Sequence, residues 1–420
     1  MHSKPIGVDL FAGAGGLSLG FEQAGFSVLA AVEYDPIHAA THQFNFPPCA
    51  TICRSVAEID GEYIRAQSKI GRREVDVVFG GPPCQGFSMI GKRALDDPRN
   101  SLVYHFTRIV SELKPKYFVF ENVRGLTVGE HKRFLQEIIA EFASKGYSVV
   151  EDYKVLNAAN YGVPQDRHRL FLMGARIGQE VPDYPKTTHD MPGKSLSFGF
   201  GESTPTVWDA LGDLPEADDY DVLLERDWTE AKFKRPSEYA RPLRQDPSAR
   251  ACQVLSSSMR TVHTPLSRKR FRATPHGETE EVSRFHKLDP NGVCNTLRAG
   301  TASDHGAFTS PRPIHPFSPR CITVREAARL HSYPDWFRFH VTKWHGFRQV
   351  GNSVPPLLGK AVASKIVERI GTRVQDSERR QTGDVRLLEL NMSQAAEHFG
   401  VSNTVIPQRT RKAPGDTAHA

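Results

Sequence analysis

The sequence predicts a doubly wound α/β sheet followed by a second, irregular region, and three observations carry that expectation. Over residues 1–178, apolar runs rich in Val, Ile and Phe alternate with segments of helical spacing. A Gly-rich turn, "FAGAGG", lies between the first apolar run and the first helical segment. From residue 179 Pro, Gly, Ser and Arg become frequent and the periodicity fades. Strands that alternate with helices favour a parallel sheet, because each crossover needs enough chain to return to the same edge.

"IGVDLF" reads as the first strand and "LSLGFEQAG" as the helix after the glycine turn. "SVLAAVE" is a second strand ending at Glu33, and "HAATHQFNFPPCATIC" a helix followed by a turn. "VDVVFGG" and "KYFVFEN" are further strands, with the helix "SLVYHFTRIVSEL" between them. The helix "HKRFLQEIIAEFASKG" precedes two last apolar runs, "SVVEDYKVL" and "RLFLMGA".

Residues 179–345 form the second region, where "SMRTVHTPLSRKRFRATPHG" concentrates Arg260, Arg268, Lys269, Arg270 and Arg272. Such a run is either a solvated face or a polyanion contact. The segment 346–372, "FRQVGNSVPPLLGKAVASKIVERI" with its flanks, is a Gly/Pro turn and an amphipathic helix that suits the first domain. In the polar tail, 373–420, Ala396, Gly400 and Val401 have the spacing of a helix-turn-helix core, although Pro407 would cut its second helix short.

Bulk composition narrows the class. With 39% hydrophobic and 24% charged residues among 420, the chain can bury a sizeable core. It shows no apolar run of about 18 residues and no signal-peptide core, so the expected location is the cytoplasm. Six scattered cysteines (Cys49, Cys53, Cys84, Cys252, Cys294, Cys321) do not read as a disulfide framework. His38, His42, Cys49 and Cys53 lack the tight CxxC pairing of a structural zinc site, and no metal is expected. A net charge of +6 permits a polyanionic partner.

The turn "DLFAGAGGLSLGF" can bring backbone amides and a helix N-terminus to a polar ligand. The dinucleotide pattern GxGxxG would need glycine where Ser18 stands, which disfavours a pyrophosphate. Glu33, at the tip of the second strand, suits both hydroxyls of a ribose, so an adenosine cofactor is expected. In "FGGPPCQGFS", Pro82 and Pro83 fix two φ angles ahead of Cys84. Three readings compete for that thiol: a buried apolar group, a metal ligand, or a nucleophile aimed from a strand end. "FVFENV" places Glu121 at another strand end, and "PQDRHRL" sets Arg167 and Arg169 at alternate positions entering a strand.

Taken together, "DLFAGAGGLSLGF", Glu33, "GGPPCQGFS", "ENV", "QDRHR", "TVREAARLHSYPDWF" and "RQVGNSVPP" resemble the DNA (cytosine-5) methyltransferase family, in that family's order. The resemblance covers roughly residues 1–178 and 320–370. It implies a class I S-adenosylmethionine-dependent methyltransferase, a Rossmann-like doubly wound sheet, with a smaller target recognition domain. Cys84 would be the nucleophile at carbon 6 of cytosine, Glu121 the carboxyl group at N3, and Arg169, with Arg167 beside it, would hold the O2 side. Phe11, Gly13, Gly15, Gly16, Glu33, Leu102, Asn352, Ser353 and Val354 would bind S-adenosylmethionine. The family's Asp-Ile pair that meets adenine aligns with Ser55 and Val56, a departure from the pattern.

The resemblance further implies base flipping out of duplex DNA. Gln85, Ser88, Arg93 and Arg99, on the loop after Cys84, would close over the DNA backbone and fill the gap left by the base, while Arg268, Lys269, Arg270 and Arg272 would meet phosphates and guanine edges. The compact chain resembles a prokaryotic restriction-modification methylase, expected to act as a monomer, to associate with the nucleoid when on DNA, and to share its target with an endonuclease. A tRNA cytosine-5 methyltransferase shares the catalytic motifs, but its Cys-Phe-Thr stretch is missing from "RFHKLDPNGVCNTLRAG". A non-catalytic relative would have lost Cys84, Glu121 or Arg169, all of which are present.

Overall fold

Short runs of β-branched and aromatic residues form the centre of the molecule. The computed structural model describes residues 4–83, 101–129, 131–150, 152–191, 201–244, 253–299, 312–372 and 381–406. β1 (Ile6–Leu10), β2 (Ser27–Val32), β3 (Ala50–Ile52), β4 (Val77–Gly80) and β5 (Tyr117–Val123) are mutually parallel, in the order β3-β2-β1-β4-β5. Every residue of β1 and β4 is buried, as expected for strands covered on both faces.

β6 (Tyr147–Val149), β7 (Lys154–Asn157), β8 (Gln165–Asp166) and β9 (His168–Arg176) complete the strand set that positions the site. β9 runs antiparallel to β5, with Glu121 opposite Phe171 and Val123 opposite Arg169. The single run "SVVEDYKVL" is in fact two strands, β6 and β7, both antiparallel to β9. Polar residues at 151 and 152 interrupt its apolar pattern, which explains the break.

Helices cover both faces. α1 (Gly16–Gln23) lies on one side, together with the returning α10 (Pro356–Ile370). Gly20 lets them touch: a Cβ there would meet Lys360 N and Pro356 O at 2.7 Å. α3 (Gly61–Gln67), α4 (Ser101–Leu113) and α5 (His131–Ser144) cover the other side through Ile64, Phe106, Val110, Ile138 and Phe142. α2 (Pro36–Asn45) starts on the Asp35 cap, whose carboxylate accepts the Ile37 amide at 2.9 Å. β3 and α3, too short to stand out by periodicity, were not anticipated.

The second region contains α6 (Val207–Leu211), α7 (Pro265–Ala273) and α8 (Val324–Leu330), and α9 (Lys343–Asn352) leads into α10. The change in sequence texture at 345 is not a break in packing. One continuous core joins Leu17, Phe21 and Phe79 to Val207, Leu211, Ile322, Leu330 and Tyr333. Within the tail one α-helix is described. α11 (Met392–Phe399) buries Ala395 and Ala396 while packing on α2. Among the described residues no helix is long and apolar enough to cross a membrane.

Candidate active site

The glycine turn and the tip of β2 meet at the carboxyl end of the sheet. Beyond β1 the chain takes left-handed φ values at Phe11 (63°), Gly13 (56°) and Gly15 (102°) before α1 begins. Glu33 ties this turn down: its Oε2 accepts the Gly13 amide at 2.7 Å and its Oε1 the Asp35 amide at 2.8 Å. Burial pushes the Glu33 carboxyl above the ordinary carboxylate range, with the positive field of His38 and the amides opposing it.

The three predicted glycines separate by environment. A Cβ on Gly13 would meet nothing within 4 Å, so this position faces open space. On Gly15 it would strike the Phe46 ring, and on Gly16 the Val354 carbonyl at 2.5 Å and Ser353 Cβ at 2.9 Å. A Cβ is thus excluded at Gly15 and Gly16 by protein packing, whereas Gly13 alone of the three has open space beside it. Phe11 and Leu102 are half-buried against the α4 side of the sheet, and Val354 is buried. Asn352 is exposed at the end of α9. Ser55 accepts the Ala57 amide at 3.2 Å, and Val56 is buried with its carbonyl taken by Arg108 at 2.7 Å.

Ser18, the residue that breaks the dinucleotide pattern, has a clear partner. Its hydroxyl donates to Asp9 Oδ2 at 2.6 Å and lies 3.1 Å from His42 Nε2, whose Nδ1 is 3.2 Å from the Thr51 hydroxyl. The second Asp9 oxygen has no partner among the described residues. Burial pushes the Asp9 carboxyl up to about 8, and burial holds the His42 imidazole down to about 3. The network is thus neutral and wholly internal. A free Asp titrates near 3.8, so between that value and about 8 the folded chain holds a proton the unfolded chain has released.

The stability contributed by Asp9 is therefore complete at low pH and is lost as pH rises through this window, by at most about 1.4 kcal/mol per pH unit. His42 acts in the opposite sense below 6.5 but is common to wild type and variant. Asp9→Asn is expected to be more destabilising near pH 5 than near pH 8 in urea unfolding. A deficit independent of pH would show that Asp9 is ionised in the fold.

Glu121 and Arg169 are brought together by sheet register. Alternate residues of β5 and β9 face opposite cores: Val119 and Phe171 point toward α1 and α10, Phe120 and Leu170 toward α4. Glu121 and Arg169 continue the first set, lie diagonally across one strand pair, and join at 2.9 Å from Arg169 Nε to Glu121 Oε1. Burial raises the Glu121 carboxyl, against the lowering fields of Arg169 and Arg167. The Glu121 carboxylate also rests on Gly81, where any Cβ would collide with Oε2.

Its neighbour Asn122 donates from Nδ2 to the Pro82 carbonyl at 3.0 Å. The Pro-Pro turn is thereby pinned next to the Glu121–Arg169 pair, two residues ahead of Cys84. Cys84 itself, and Gln85, Ser88, Arg93 and Arg99, lie outside the described residues.

Arg167 does not share the orientation expected from alternation, because β8 ends and β9 begins on either side of it. It is fully buried, and its guanidinium donates to the carbonyls of Leu297, Gly351 and Ser353, each at 2.8 Å. Gln165 works alongside it, donating to the Leu330 carbonyl at 3.2 Å and accepting the Leu297 amide at 3.1 Å. Half of the "QDRHR" signature is therefore a clasp joining the sheet to the second region and the returning segment. Only Arg169 is left to face Glu121.

The basic helix α7 also divides. Arg268 pairs with Asp218 at 3.0 Å and Arg270 with Glu280 at 3.2 Å, so both cations are partly neutralised inside the fold. Lys269 and Arg272 are exposed. Asp218 additionally holds Arg260 at 3.1 Å, which ties the helix to the short turn at Ala217–Asp219.

Sequence reasoning missed Asp9 and Gln165. Asp9 and Gln165 stood inside recognised motifs, but only their buried partners reveal what they do. Among the described residues no cluster of His, Cys, Asp and Glu is arranged to hold a metal, and Cys49, Cys53, Cys294 and Cys321 are buried free thiols.

A parallel sheet with an open glycine at its first turn, an acid at the tip of its second strand and an antiparallel β9 beside β5 is the frame of class I S-adenosylmethionine-dependent methyltransferases. Residues 7–368 match the C-5 cytosine-specific DNA methylase family. The type II methyltransferase M.XorII of Xanthomonas oryzae pv. oryzae is 59% identical over 419 residues, covering 97% of this chain and 96% of that protein. M.AgeI of Thalassovita gelatinovora is 33% identical, covering 86% of this chain and 98% of its own length. A solved prophage-encoded DNA modification methyltransferase from E. coli is 34% identical, covers 88% of this chain and 100% of that chain, and superposes with a TM-score of 0.71. The Dnmt2 methyltransferase of S. pombe, at 12% identity and a TM-score of 0.54, shares the fold alone.

The chain belongs to the C-5 cytosine-specific DNA methylase family and is a DNA (cytosine-5-)-methyltransferase.

Proposed function

We propose that this enzyme methylates carbon 5 of a cytosine flipped out of one short duplex sequence, and so protects that sequence from a partner restriction endonuclease. The observation that carries the reading is the Glu121–Arg169 pair facing the pinned Pro82 turn. Carbon 5 of cytosine is a poor nucleophile. Addition of the Cys84 thiolate to carbon 6 forms an S–C bond and moves the ring's electron pair toward carbon 5. A protonated Glu121 at N3 and Arg169 at O2 hold the charge that develops.

S-adenosylmethionine supplies the methyl group as an electrophilic sulfonium carbon. Glu33 holds the ribose, Gly13 gives room for the methionine portion, and Phe11 packs against the adenine. These residues fit that group: an open left-handed glycine lies within hydrogen-bond reach of a half-buried carboxylate. Leu102, Asn352, Ser353 and Val354 line the remainder, with Gly15 and Gly16 acting through packing. Loss of the carbon 5 proton to solvent re-forms the carbon 5–carbon 6 double bond and breaks the S–C bond, so that Cys84 leaves as a thiolate and N3 gives its proton back to Glu121.

Arg167 is assigned to positioning rather than to contact with the base. The relationship to M.XorII supports the restriction-modification setting, in which the enzyme acts as a cytoplasmic monomer on DNA. With labelled S-adenosylmethionine, wild-type protein is expected to label duplex DNA at a single sequence by bisulfite mapping and to leave tRNA unlabelled. Label confined to tRNA would overturn the DNA reading.

The second region supplies the sequence contacts, and the exposure of its cations sets an order among them. Lys269→Ala and Arg272→Ala should each weaken DNA binding and lower the slope of log K against log salt by about 1. Arg268→Ala should change the slope less, because its charge already faces Asp218. Titrations at several salt concentrations measure this ordering.

A further inference from the structure

The family match ends at residue 368, yet the chain re-enters the fold beyond it. The Gly383 amide donates to the Phe44 carbonyl at 2.7 Å, and Leu388 is fully buried, its carbonyl accepting the Val341 amide at 3.0 Å. His340 Nε2 lies 3.0 Å from the Leu390 carbonyl. α11 then starts on a reciprocal cap between Asn391 and Gln394, lays Ala395 and Ala396 into the interface with α2, and adds a 2.8 Å contact between His398 Nε2 and Gln43 Oε1. At Gly400 the helix ends in a left-handed turn, and the Val401 amide closes back on the Ala396 carbonyl at 2.9 Å.

Residues 400–405 then reach the carboxyl ends of β2 and β3. The Tyr34 hydroxyl donates to the Val405 carbonyl, and Arg54 donates to the Gly400 carbonyl at 3.4 Å. Tyr34 directly succeeds Glu33, and Arg54 lies two residues beyond the end of β3 and beside Ser55. Ligands of parallel α/β sheets bind beyond these strand ends. The docking of α11 is built from buried apolar contacts and a capped helix, so the segment is a fixed part of the fold.

We propose that residues 400–405 form a strap that walls the adenosine end of the cofactor site, and that Tyr34 and Arg54 are positioning residues that hold it there. This rests on the proposed use of S-adenosylmethionine.

The test uses the full-length chain and binding of S-adenosylhomocysteine by calorimetry. Tyr34→Phe combined with Arg54→Gln keeps the ring and most of the side-chain length but removes both tethers. Its dissociation constant should rise about tenfold, with a matching rise in KM for S-adenosylmethionine and no change in KM for DNA. Ala396→Glu, which undocks α11, should produce the same pattern. Folded variants that bind S-adenosylhomocysteine as tightly as wild type would overturn the strap while leaving the methyltransferase reading intact. Should Ala396→Glu fail to fold, the double variant alone decides. A wild-type chain that binds no S-adenosylhomocysteine would overturn the proposed cofactor and the strap together.

Discussion

Cys84→Ser is expected to reduce methyl transfer by about 10³-fold or more while leaving cofactor binding and duplex binding in place. A thiolate is a strong nucleophile toward an unsaturated carbon, and a serine hydroxyl is not. The Pro82 carbonyl is held by Asn122, so the entry to residue 84 is as rigid in the variant as in the wild type. The loss should therefore appear in kcat rather than in either KM. A duplex carrying 5-fluorocytosine provides the second readout. Once methylated, its fluorine cannot leave as a proton does, so the S–C bond persists and a denaturation-resistant protein–DNA adduct accumulates. Wild type should form that adduct only when S-adenosylmethionine is present, and the serine variant should form none. Robust labelling by Cys84→Ser would rule out covalent catalysis through this thiol.

Glu121→Gln is expected to lower kcat by about 10²–10³-fold. The amide preserves shape and can donate a hydrogen bond, but it cannot deliver a proton to N3. Burial raises the Glu121 carboxyl, so it keeps its proton to higher pH than an ordinary glutamate, with Arg169 and Arg167 limiting the rise. As pH climbs through that raised value, the proton is lost and the rate falls. In the wild type kcat should show this descending limb, and in Glu121→Gln the limb should disappear while the remaining rate stays low. A glutamine variant with wild-type kcat would mean that Arg169 alone holds the developing charge.

Much of the fold was legible because its signals are local. The alternation of apolar strands and amphipathic helices arises from burial of parallel strands on both faces, and each strand of the main sheet except β3 appears near the expected position. β3 and α3 escaped because three and seven residues cannot express a period. The interruption between β6 and β7 escaped because the apolar residues on either side of the polar pair at 151 and 152 read as one run.

The candidate site shows the same division. Types and order of residues pointed to Glu33, Glu121 and Arg169, since a strand end and a side-chain period of two are sequence properties. Spacing could not separate Arg169 from Arg167. Two arginines at alternate positions share a face only in a continuous strand, and the break between β8 and β9 sends Arg167 into backbone carbonyls 130 to 186 residues away. Nor could the sequence distinguish Gly13, with open space beside it, from Gly15 and Gly16, crowded by Phe46 and Val354.

By itself, then, the sequence determined the sheet, the family and the chemical groups available, because these depend on side-chain type and short-range period. Tertiary structure alone decided which arginine pairs with Glu121, which cations of α7 pair with carboxylates, and where residues 381–406 rest. Each of those depends on partners supplied by distant parts of the chain, and a charge or a glycine has no fixed role until its neighbours in space are chosen.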